Sequence, residues 1–169
     1  MGEVCEILRG RRLTKAQLSL DNKYPVFHGG IEPIGYYDNY NREANTIMII
    51  NVGASAGTVG FCDKKFWSSD GCFCVGKSDK ILDKYLYYFL SNVQKEFISK
   101  VRYAGIPTLD SKVIANIEIP LPPLPVQEEV VRILDKFSIL LADISQGLPA
   151  EIEARREQYE YYRNQLLTF

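Results

Sequence analysis

The chain has 169 residues and a net charge of −1 at pH 7, and 46% of its residues are hydrophobic and 12% aromatic. Such a length suits one globular domain with an appendage, and the apolar content excludes an intrinsically disordered chain. No apolar run reaches the 18 residues of a membrane span, and the first residues match neither a signal peptide nor a myristoylation site. We therefore expect a cytoplasmic protein with no membrane partner.

The charge is unevenly distributed along the chain. Residues 1–125 hold 15 Lys and Arg against 13 Asp and Glu, a net charge of +2, whereas residues 126–169 hold 5 against 8, a net charge of −3. The mildly basic first part is weak support for a polyanionic partner, because many nucleic-acid-binding proteins are far more basic. Any basic face must therefore be local.

The cysteines do not indicate a metal site. They lack the paired spacing of a zinc site, and the chain has a single histidine, His28. We expect ordinary reduced thiols, no metal and no cofactor. The four cysteines are Cys5, Cys62, Cys72 and Cys74.

An alternating apolar pattern predicts a first strand over residues 3–8. Four cations and a glycine follow within the seven residues from Arg9 to Lys15. A solvated turn explains this cluster, and so does a loop that grips phosphate groups. Composition alone leaves both interpretations open.

A second strand is predicted over residues 24–27 and ends at His28. A run of aromatic, amide and acidic side chains begins just after Gly35. Buried aromatic residues usually form core, but beside Asn and Asp in a loop they also suit stacking and the reading of base edges. Both interpretations stay open here. The run comprises Tyr36, Tyr37, Asp38, Asn39, Tyr40 and Asn41.

A buried strand over residues 46–50 leads into a stretch of small residues over 51–60. This stretch is not a nucleotide-binding P-loop, because no Gly-Lys-Ser/Thr closes it, and it favours a corner between two strands. Further strands are predicted over residues 58–62 and 71–75. Trp67, between them, is expected in the core.

A helix is predicted over residues 83–99, with Asp83 as its cap and one apolar face. A short helix over residues 110–115 and a strand over 116–119 follow. They lead into four prolines within residues 120–125, which we expect to be extended because proline fixes φ and donates no hydrogen bond.

The last part of the chain has a helical pattern with an apolar stripe at heptad spacing. A proline inside a helix costs ~3 kcal/mol or more, but at the first position of a new helix it is tolerated. We therefore predict a helix that is broken or kinked at Gly147-Leu148-Pro149, and one long, gently drifting helix remains the alternative. The stripe comprises Val126, Val130, Ile133, Phe137, Leu140 and Ile144, then Ile152, Tyr159, Tyr162, Leu166 and Phe169.

Catalysis finds little support in the sequence. His28 has no accompanying nucleophile motif such as G-x-S-x-G, and the acidic residues are scattered. Methyl transfer to adenine would require an Asn/Asp-Pro-Pro-aromatic tetrapeptide, which the sequence lacks. We predict that the chain is not an enzyme.

With these parts in order, the chain resembles a specificity subunit of a type I restriction–modification system, over nearly its whole length. The junction of prolines, glutamine and helix is the most specific part of the match. The matching stretches are YPVFHGG (24–30) with Gly35-Tyr36, GASAG (53–57) with Phe66-Trp67, GIP (105–107) with Leu109, IEIPLPPLPVQ (117–127) leading into ILDKF (133–137), and GLPAEI (147–152) through YYRNQLL (161–167).

The resemblance implies an α+β fold in two parts. Residues 1–125 would form a globular target-recognition domain of mixed sheet and helix, and residues 126–169 a long helical, coiled-coil region for dimerisation and spacing. It also implies a non-catalytic reader of double-stranded DNA that positions methyltransferase subunits and, through the complex, the restriction subunit on a bipartite target. A full family member has two of each part, so we expect a natural half-subunit or a fragment.

A single helical region has no partner within its own chain, so we expect an antiparallel homodimer that reads two inverted half-sites. The expected dimer contacts are Val130, Ile133, Phe137, Leu140, Ile144, Ile152, Tyr159, Tyr162 and Leu166.

Contacts with DNA are expected from two groups of side chains. Cations would bind phosphates and position the domain without reading sequence, and polar or aromatic residues on loops would read bases. The expected phosphate contacts are Arg11, Arg12, Lys15, Lys100 and Arg102. The expected base contacts are His28, Tyr36, Tyr37, Asn39 and Ser55. The alternative function is a protein–protein adaptor with a coiled-coil tail and no nucleic-acid binding, which the charge of +2 slightly favours and the resemblance disfavours.

Overall fold

The computed structural model describes residues 1–167, and in the last helix it leaves out the side chains of 142–146, 148–150, 154, 156 and 159–167. The chain divides into two compact units, the first of which is Met1–Glu128. The second unit begins at Glu129. The two are described separately below.

A four-stranded antiparallel sheet forms the larger part of the first unit. Its strands are β1 (Ile7–Arg9), β4 (Thr46–Ile50), β5 (Val59–Cys62) and β7 (Cys72–Val75), in the order β1-β7-β4-β5. Every residue of β4 and β7 is buried. Strands that are covered on both faces are expected to be continuously apolar, which explains the sequence TIMII of β4.

A smaller sheet packs beside the first. It consists of β2 (Tyr24–Phe27), β3 (Gly35–Tyr37) and β6 (Trp67–Ser68), in the order β3-β2-β6. Strand β2 is antiparallel to β3 and parallel to β6. The two sheets share one core, in which the rings of Phe27 and Phe66 meet edge to face with centroids 5.4 Å apart. The core cluster comprises Phe27, Met48, Ile50, Cys62, Phe66, Cys72 and Cys74.

Three short helices complete the first unit: α1 (Asp83–Asn92), α2 (Gln94–Ser99) and α3 (Ser111–Ala115). The single helix predicted over residues 83–99 is wrong, because the backbone leaves the helical region at Val93, with φ −93° and ψ 8°. The predicted cap is also wrong, since Asp83 is the first helical residue and the cap position is Leu82. The apolar face is nevertheless buried, with Leu86, Leu90 and Phe97 at its centre.

Several predicted strands have different limits in the structure. The first strand begins at Ile7, because residues 2–5 form a turn in which the N–H groups of Val4 and Cys5 donate to the carbonyl of Met1. Strands β5 and β7 each begin one residue later than predicted. No strand forms over residues 116–119: Asn116 is the C-cap of α3, in a helical conformation, and 117–119 pair with no other described strand. The strands predicted over residues 24–27 and 46–50 are confirmed, and Trp67 is buried as expected.

A long helix, α4 (Leu124–Leu167), ends the chain. It begins at Leu124, one residue before the end of the proline run, so the expectation that residues 120–125 are all extended is wrong for the last two. Pro125 lies in the first turn, where its missing N–H is no loss. The predicted break at Gly147-Leu148-Pro149 is wrong, because the helix continues through these residues. Good helix formers on both sides, such as Gln146 and Ala150, favour continuity.

The buried residue Gln127 joins the first turn of α4 to the rest of the first unit. Its amide group bonds to the backbone of Leu82, Lys80 and Pro122. Among the residues that the structure describes, no helix is both long and apolar enough to cross a bilayer.

Candidate functional site

The cation-rich loop between β1 and β2 is fixed to the small sheet through Arg11. The backbone N–H of Arg11 donates to the carbonyl of Ser68 at 2.8 Å, and the indole Nε1–H of Trp67 donates to the carbonyl of Arg11 at 2.7 Å. These bonds use the main chain only, so the guanidinium of Arg11 stays exposed. A buried indole N–H requires a hydrogen-bond partner, and the carbonyl of Arg11 supplies it for Trp67.

Gly10 permits this close approach. A Cβ atom at position 10 would lie 1.9 Å from the carbonyl oxygen of Ser69, which no side chain tolerates. The N–H of Gly10 donates to the carbonyl of Cys72 at 3.2 Å. The glycine within the cluster of cations is therefore required by packing, and it determines where the cations on either side of it lie.

A cleft of about 560 Å³ opens beside this loop. Its wall includes residues from the cation-rich loop, from the segments that follow β2 and β4, and from the turn before β7. The chemistry-bearing residues of the wall are Arg9, Arg12, Lys15, His28, Asn51 and Asp70. Three cations therefore face one carboxylate, so the cleft attracts anions.

His28 and Asp70 form a pair within the cleft. The Nδ1 atom of His28 lies 3.3 Å from Oδ1 of Asp70, and the same oxygen accepts a hydrogen bond from Oγ of Ser69 at 3.1 Å. The side chains of His28 and Asp70 are 44% and 33% exposed, so both are accessible from the cleft.

Three of the ten predicted DNA-binding residues line this cleft: Arg12, Lys15 and His28. Arg12 and Lys15 are exposed. Lys15 lies in a short 3₁₀ turn, and the turn is stabilised because the carbonyl oxygen of the Gln17 side chain accepts from the backbone N–H of Thr14 at 3.0 Å. Arg11 precedes them and does not line the cleft.

The predicted placement of the two tyrosines on a loop is wrong. Tyr36 and Tyr37 belong to β3, which pairs with β2, and both are half-buried. The ring of Tyr37 meets that of Trp67 edge to face, with centroids 5.2 Å apart. Part of each tyrosine is therefore committed to packing.

The other predicted base contacts lie on loops. Asn39 is exposed, and its Oδ1 accepts from the N–H of Tyr40 at 2.8 Å, a local turn bond. Ser55 is half-buried in the turn between β4 and β5, where its carbonyl accepts from the N–H of Thr58. Neither residue lines the cleft.

Lys100 and Arg102 follow α2 and are both exposed. A guanidinium nitrogen of Arg102 lies 3.8 Å from a carboxylate oxygen of Asp110, a surface ion pair. The backbone of Arg102 pairs with that of Thr108, and Thr108 lines the cleft. Arg102 therefore lies one backbone bridge away from the cleft wall.

Three of the chemistry-bearing residues of the cleft were not among the predicted DNA contacts: Arg9, Asn51 and Asp70. Arg9 was part of the recognised cluster of cations, directly after the first predicted strand, and in the structure it ends β1. Asn51 is buried, and its side-chain oxygen has no partner among the described residues. Asp70 lies far from His28 in the sequence, and pairing across such a separation leaves no local pattern.

A second group of cations lies at a separate cleft lined by Lys23, Lys64 and Lys65 together with Tyr24 and Tyr40. The ammonium of Lys65 lies 4.3 Å from the centroid of the Tyr40 ring and donates to its hydroxyl at 3.0 Å. Hydrogen bonds to Tyr40 and to Glu43 raise the pKa of Lys65, so this cation stays charged. No local pattern in the sequence indicates this group.

The thiols do not contribute reactive groups to the site. All four cysteines are free and buried. Burial raises the pKa of Cys72 to about 12, which keeps this thiol protonated and a poor nucleophile at neutral pH. Among the described residues, no group of His, Cys, Asp and Glu side chains is arranged to hold a metal ion.

The cleft thus contains cations that can bind an anionic group and a histidine–carboxylate pair that can form hydrogen bonds with a polar group. This combination suits the binding of a ligand. The sequence profile described as the type I restriction modification DNA specificity domain matches residues 1–154. The chain belongs to this family.

Two curated relatives of this specificity domain come from Mycoplasma pneumoniae. A putative type I specificity subunit of that organism is 34% identical over 99% of the present chain and 56% of its own length. The specificity subunit of the type I restriction enzyme MpnII is also 34% identical, over 99% of this chain and 51% of the relative. The chain therefore spans about half the length of these relatives.

Solved structures share the fold of this family member. The type I restriction–modification S subunit from M. genitalium superposes with a TM-score of 0.75 at 24% identity, covering 96% of this chain and 43% of the other. The HsdS subunit from Thermoanaerobacter tengcongensis gives a TM-score of 0.70 at 22% identity, covering 96% and 42%. At these identities the likeness shows the fold alone, a mixed α+β domain.

Proposed function

We propose that this family member recognises a specific double-stranded DNA sequence as the non-catalytic specificity component of a type I restriction–modification complex. The observation that carries this proposal is the cleft in which Arg9, Arg12 and Lys15 lie beside His28. Cations bind phosphates regardless of sequence, whereas a neutral polar side chain discriminates between base edges. A cleft with both kinds of group suits a DNA reader, and membership of the family supports that ligand.

The catalytic steps belong, on this proposal, to other subunits. A methyltransferase subunit would modify the DNA, and a restriction subunit would join through the complex. Residues 1–125 act as the target-recognition domain, and residues 126–169 act as the helical region for dimerisation and spacing. The relatives named as type I specificity subunits support the specificity role within these assignments.

The phosphate contacts are assigned first to Arg12 and Lys15, which the cleft brings together, and then to Arg11. Lys100 and Arg102 form an outer group. The base contacts are assigned to His28 in the cleft and to Tyr36, Tyr37, Asn39 and Ser55 outside it.

We propose a second copy of this chain as the partner of α4. Its apolar stripe lies exposed within the second unit: Phe137 is 58% exposed, Leu140 55% and Ile152 65%. Ile133 is 40% exposed and Val130 half-buried. An apolar stripe at heptad spacing is the contact surface of a coiled coil, and an antiparallel pair would bury it. The remaining predicted contacts, Ile144, Tyr159, Tyr162 and Leu166, lie outside the described side chains.

Such a dimer would carry two identical recognition domains related by a two-fold axis. It would read an inverted repeat split by a fixed gap, because dimer geometry determines the distance between half-sites.

The proposal is tested by DNA binding of the chain together with the methyltransferase subunit from the same genome. The double variant Arg12→Ala, Lys15→Ala should weaken binding to all sequences alike. It should also reduce the slope of log K against log salt by about 0.9 for each phosphate that is no longer neutralised. Lys95→Ala, which changes an exposed cation of α2 that does not line the cleft, is the control and should bind as the wild type does.

Absence of DNA binding by the wild-type complex would contradict the proposal and favour the adaptor function. Unchanged binding by the double variant would instead remove the cleft from the interface.

A further inference from the structure

The imidazole of His28 lies close to the turn before β7. A Cβ atom at position 71 would lie 2.8 Å from Nδ1 and 3.0 Å from Cε1 of the imidazole. Only the glycine of the Asp70-Gly71 pair therefore admits the ring at this place. The adjacent carboxylate of Asp70 lies 3.3 Å from Nδ1 and is itself oriented by Ser69.

This geometry favours one ring nitrogen of His28, Nδ1, as the site of the proton. A carboxylate oxygen has no proton to donate, so an unprotonated Nδ1 would point a lone pair at a negative charge. The neutral ring therefore carries its proton on Nδ1, and Nε2 is left as a hydrogen-bond acceptor. Among the described residues no side chain bonds to Nε2, and the side chain of His28 is 44% exposed.

We propose that Nε2 of His28 reads one base of the target as a hydrogen-bond acceptor, and that Asp70 is the positioning residue that sets this polarity. The inference rests on the DNA-reading function proposed above. In the major groove, the donors that fit such an acceptor are the exocyclic amino groups, N6 of adenine and N4 of cytosine. Guanine and thymine present acceptors at the equivalent positions, and these would repel Nε2.

Because Nε2 is an acceptor, His28 has a different role from the cations of the cleft. Phosphate oxygens are acceptors and offer no proton, so an unprotonated Nε2 gains nothing from them. Arg12 and Lys15 therefore hold the backbone, while His28 discriminates between bases. Neither role can replace the other, since removing a phosphate contact weakens all sites and removing an acceptor weakens only some.

The protonated nitrogen can be observed directly. His28 is the only histidine of the chain, so a long-range ¹H–¹⁵N spectrum of protein without a histidine tag contains one imidazole. At pH 8 the wild type should show the proton on Nδ1. Asp70→Ala should move the population towards the Nε2–H form. A wild-type ring protonated on Nε2 would overturn the inference, whether or not the protein binds DNA.

The base preference is tested by selection from a library of random duplexes, at pH 8, with the complex of this chain and its methyltransferase subunit. The wild type should select adenine or cytosine over guanine or thymine at one position of the half-site by about tenfold. His28→Ala should abolish this preference at that position alone. Asp70→Ala should reduce it several-fold while leaving the other positions of the motif unchanged.

The control is Asp79→Asn, which changes an exposed acidic residue that does not line the cleft and should retain the wild-type motif. A uniform loss of affinity in Asp70→Ala with an unchanged motif would assign Asp70 a purely structural role and overturn the inference. The same motif in His28→Ala as in the wild type would also overturn it. No DNA binding by the wild-type complex would instead contradict the proposed function.

Discussion

The side-chain oxygen of Gln127 accepts a hydrogen bond from the backbone N–H of Leu82 at 2.9 Å, across 45 positions of sequence. The Nε2 atom of the same side chain donates to the carbonyls of Lys80 at 3.1 Å and Pro122 at 2.8 Å. Gln127 is fully buried. Three backbone groups of the first unit therefore depend on one amide side chain in the first turn of α4.

Replacing this amide should destabilise the first unit. Gln127→Leu preserves the approximate volume but leaves the three backbone groups without their partner, and an unsatisfied buried polar group costs about 1–3 kcal/mol. We expect the free energy of unfolding, measured with urea, to fall by about 1–3 kcal/mol. Glu128→Ala, at the exposed next position, should change it little. Equal stability of Gln127→Leu and the wild type would show that these bonds contribute nothing net.

Gly10 is predicted to tolerate no side chain. In Gly10→Ala the added methyl group would meet the carbonyl of Ser69 at 1.9 Å, so the cation-rich loop must move. We expect the free energy of unfolding, obtained from thermal unfolding, to fall by about 1–3 kcal/mol, as at other overpacked sites. DNA binding by the complex should also weaken.

Gly30→Ala is the matched control for this change, because no atom lies within 4 Å of a Cβ built at position 30. This variant should be as stable as the wild type or slightly more stable. If both variants behave alike, the close contact at Gly10 does not determine the position of the loop.

The buried thiol of Cys72 should make the fold sensitive to alkaline pH. Burial raises its pKa from 9.0 to about 12 in the folded state. The contribution of a group with a raised pKa is fully present below the unfolded value and is lost as pH rises towards the folded value. Between pH 8 and pH 10 the thiol ionises in the unfolded state but not in the folded state. This difference should lower the free energy of unfolding by about 1 kcal/mol.

The measurement compares urea unfolding at pH 8 and pH 10 in the wild type and in Cys72→Ala. The variant removes this titration, so its loss of stability over the same interval should be smaller by about that amount. An equal loss in both proteins would contradict the raised pKa.

The apolar stripe of α4 is predicted to hold the dimer together. Phe137→Asp with Leu140→Asp places two charges in the contact, and burying an unpaired charge is strongly unfavourable. Multi-angle light scattering should give the mass of a dimer for the wild type and of a monomer for this variant. Ile139→Asp, at an exposed apolar position off the stripe, should remain dimeric. A dimer that persists in the double variant would place the contact elsewhere.

Local patterns in the sequence predicted the buried strands well. The run TIMII and the segment YPVF predict β4 and β2, because runs of β-branched and aromatic residues bounded by turn residues strongly favour a strand. The division between α1 and α2 at Val93 has no such signal: one apolar face continues across it, and tertiary packing decides the break.

The functional site could be predicted only in part, for the same physical reason. Arg12, Lys15 and His28 were candidates because cations, glycine and a lone histidine are conspicuous within short segments. Asp70 became part of the site only through folding, which brings the turn before β7 to the end of β2. The burial of Gln127 could not be predicted either, because a polar side chain after a proline run gives no sign that it will be fully buried.

The central claim is that this chain directs a methyltransferase to one DNA sequence. The direct measurement is to map modified bases in a host genome that expresses the methyltransferase subunit alone, with this chain, or with its Arg12→Ala, Lys15→Ala variant. We predict methylation at a single inverted repeat split by a fixed gap, present only with the wild-type chain and reduced at all sites alike with the variant. Methylation of the same sites with and without this chain would contradict the account.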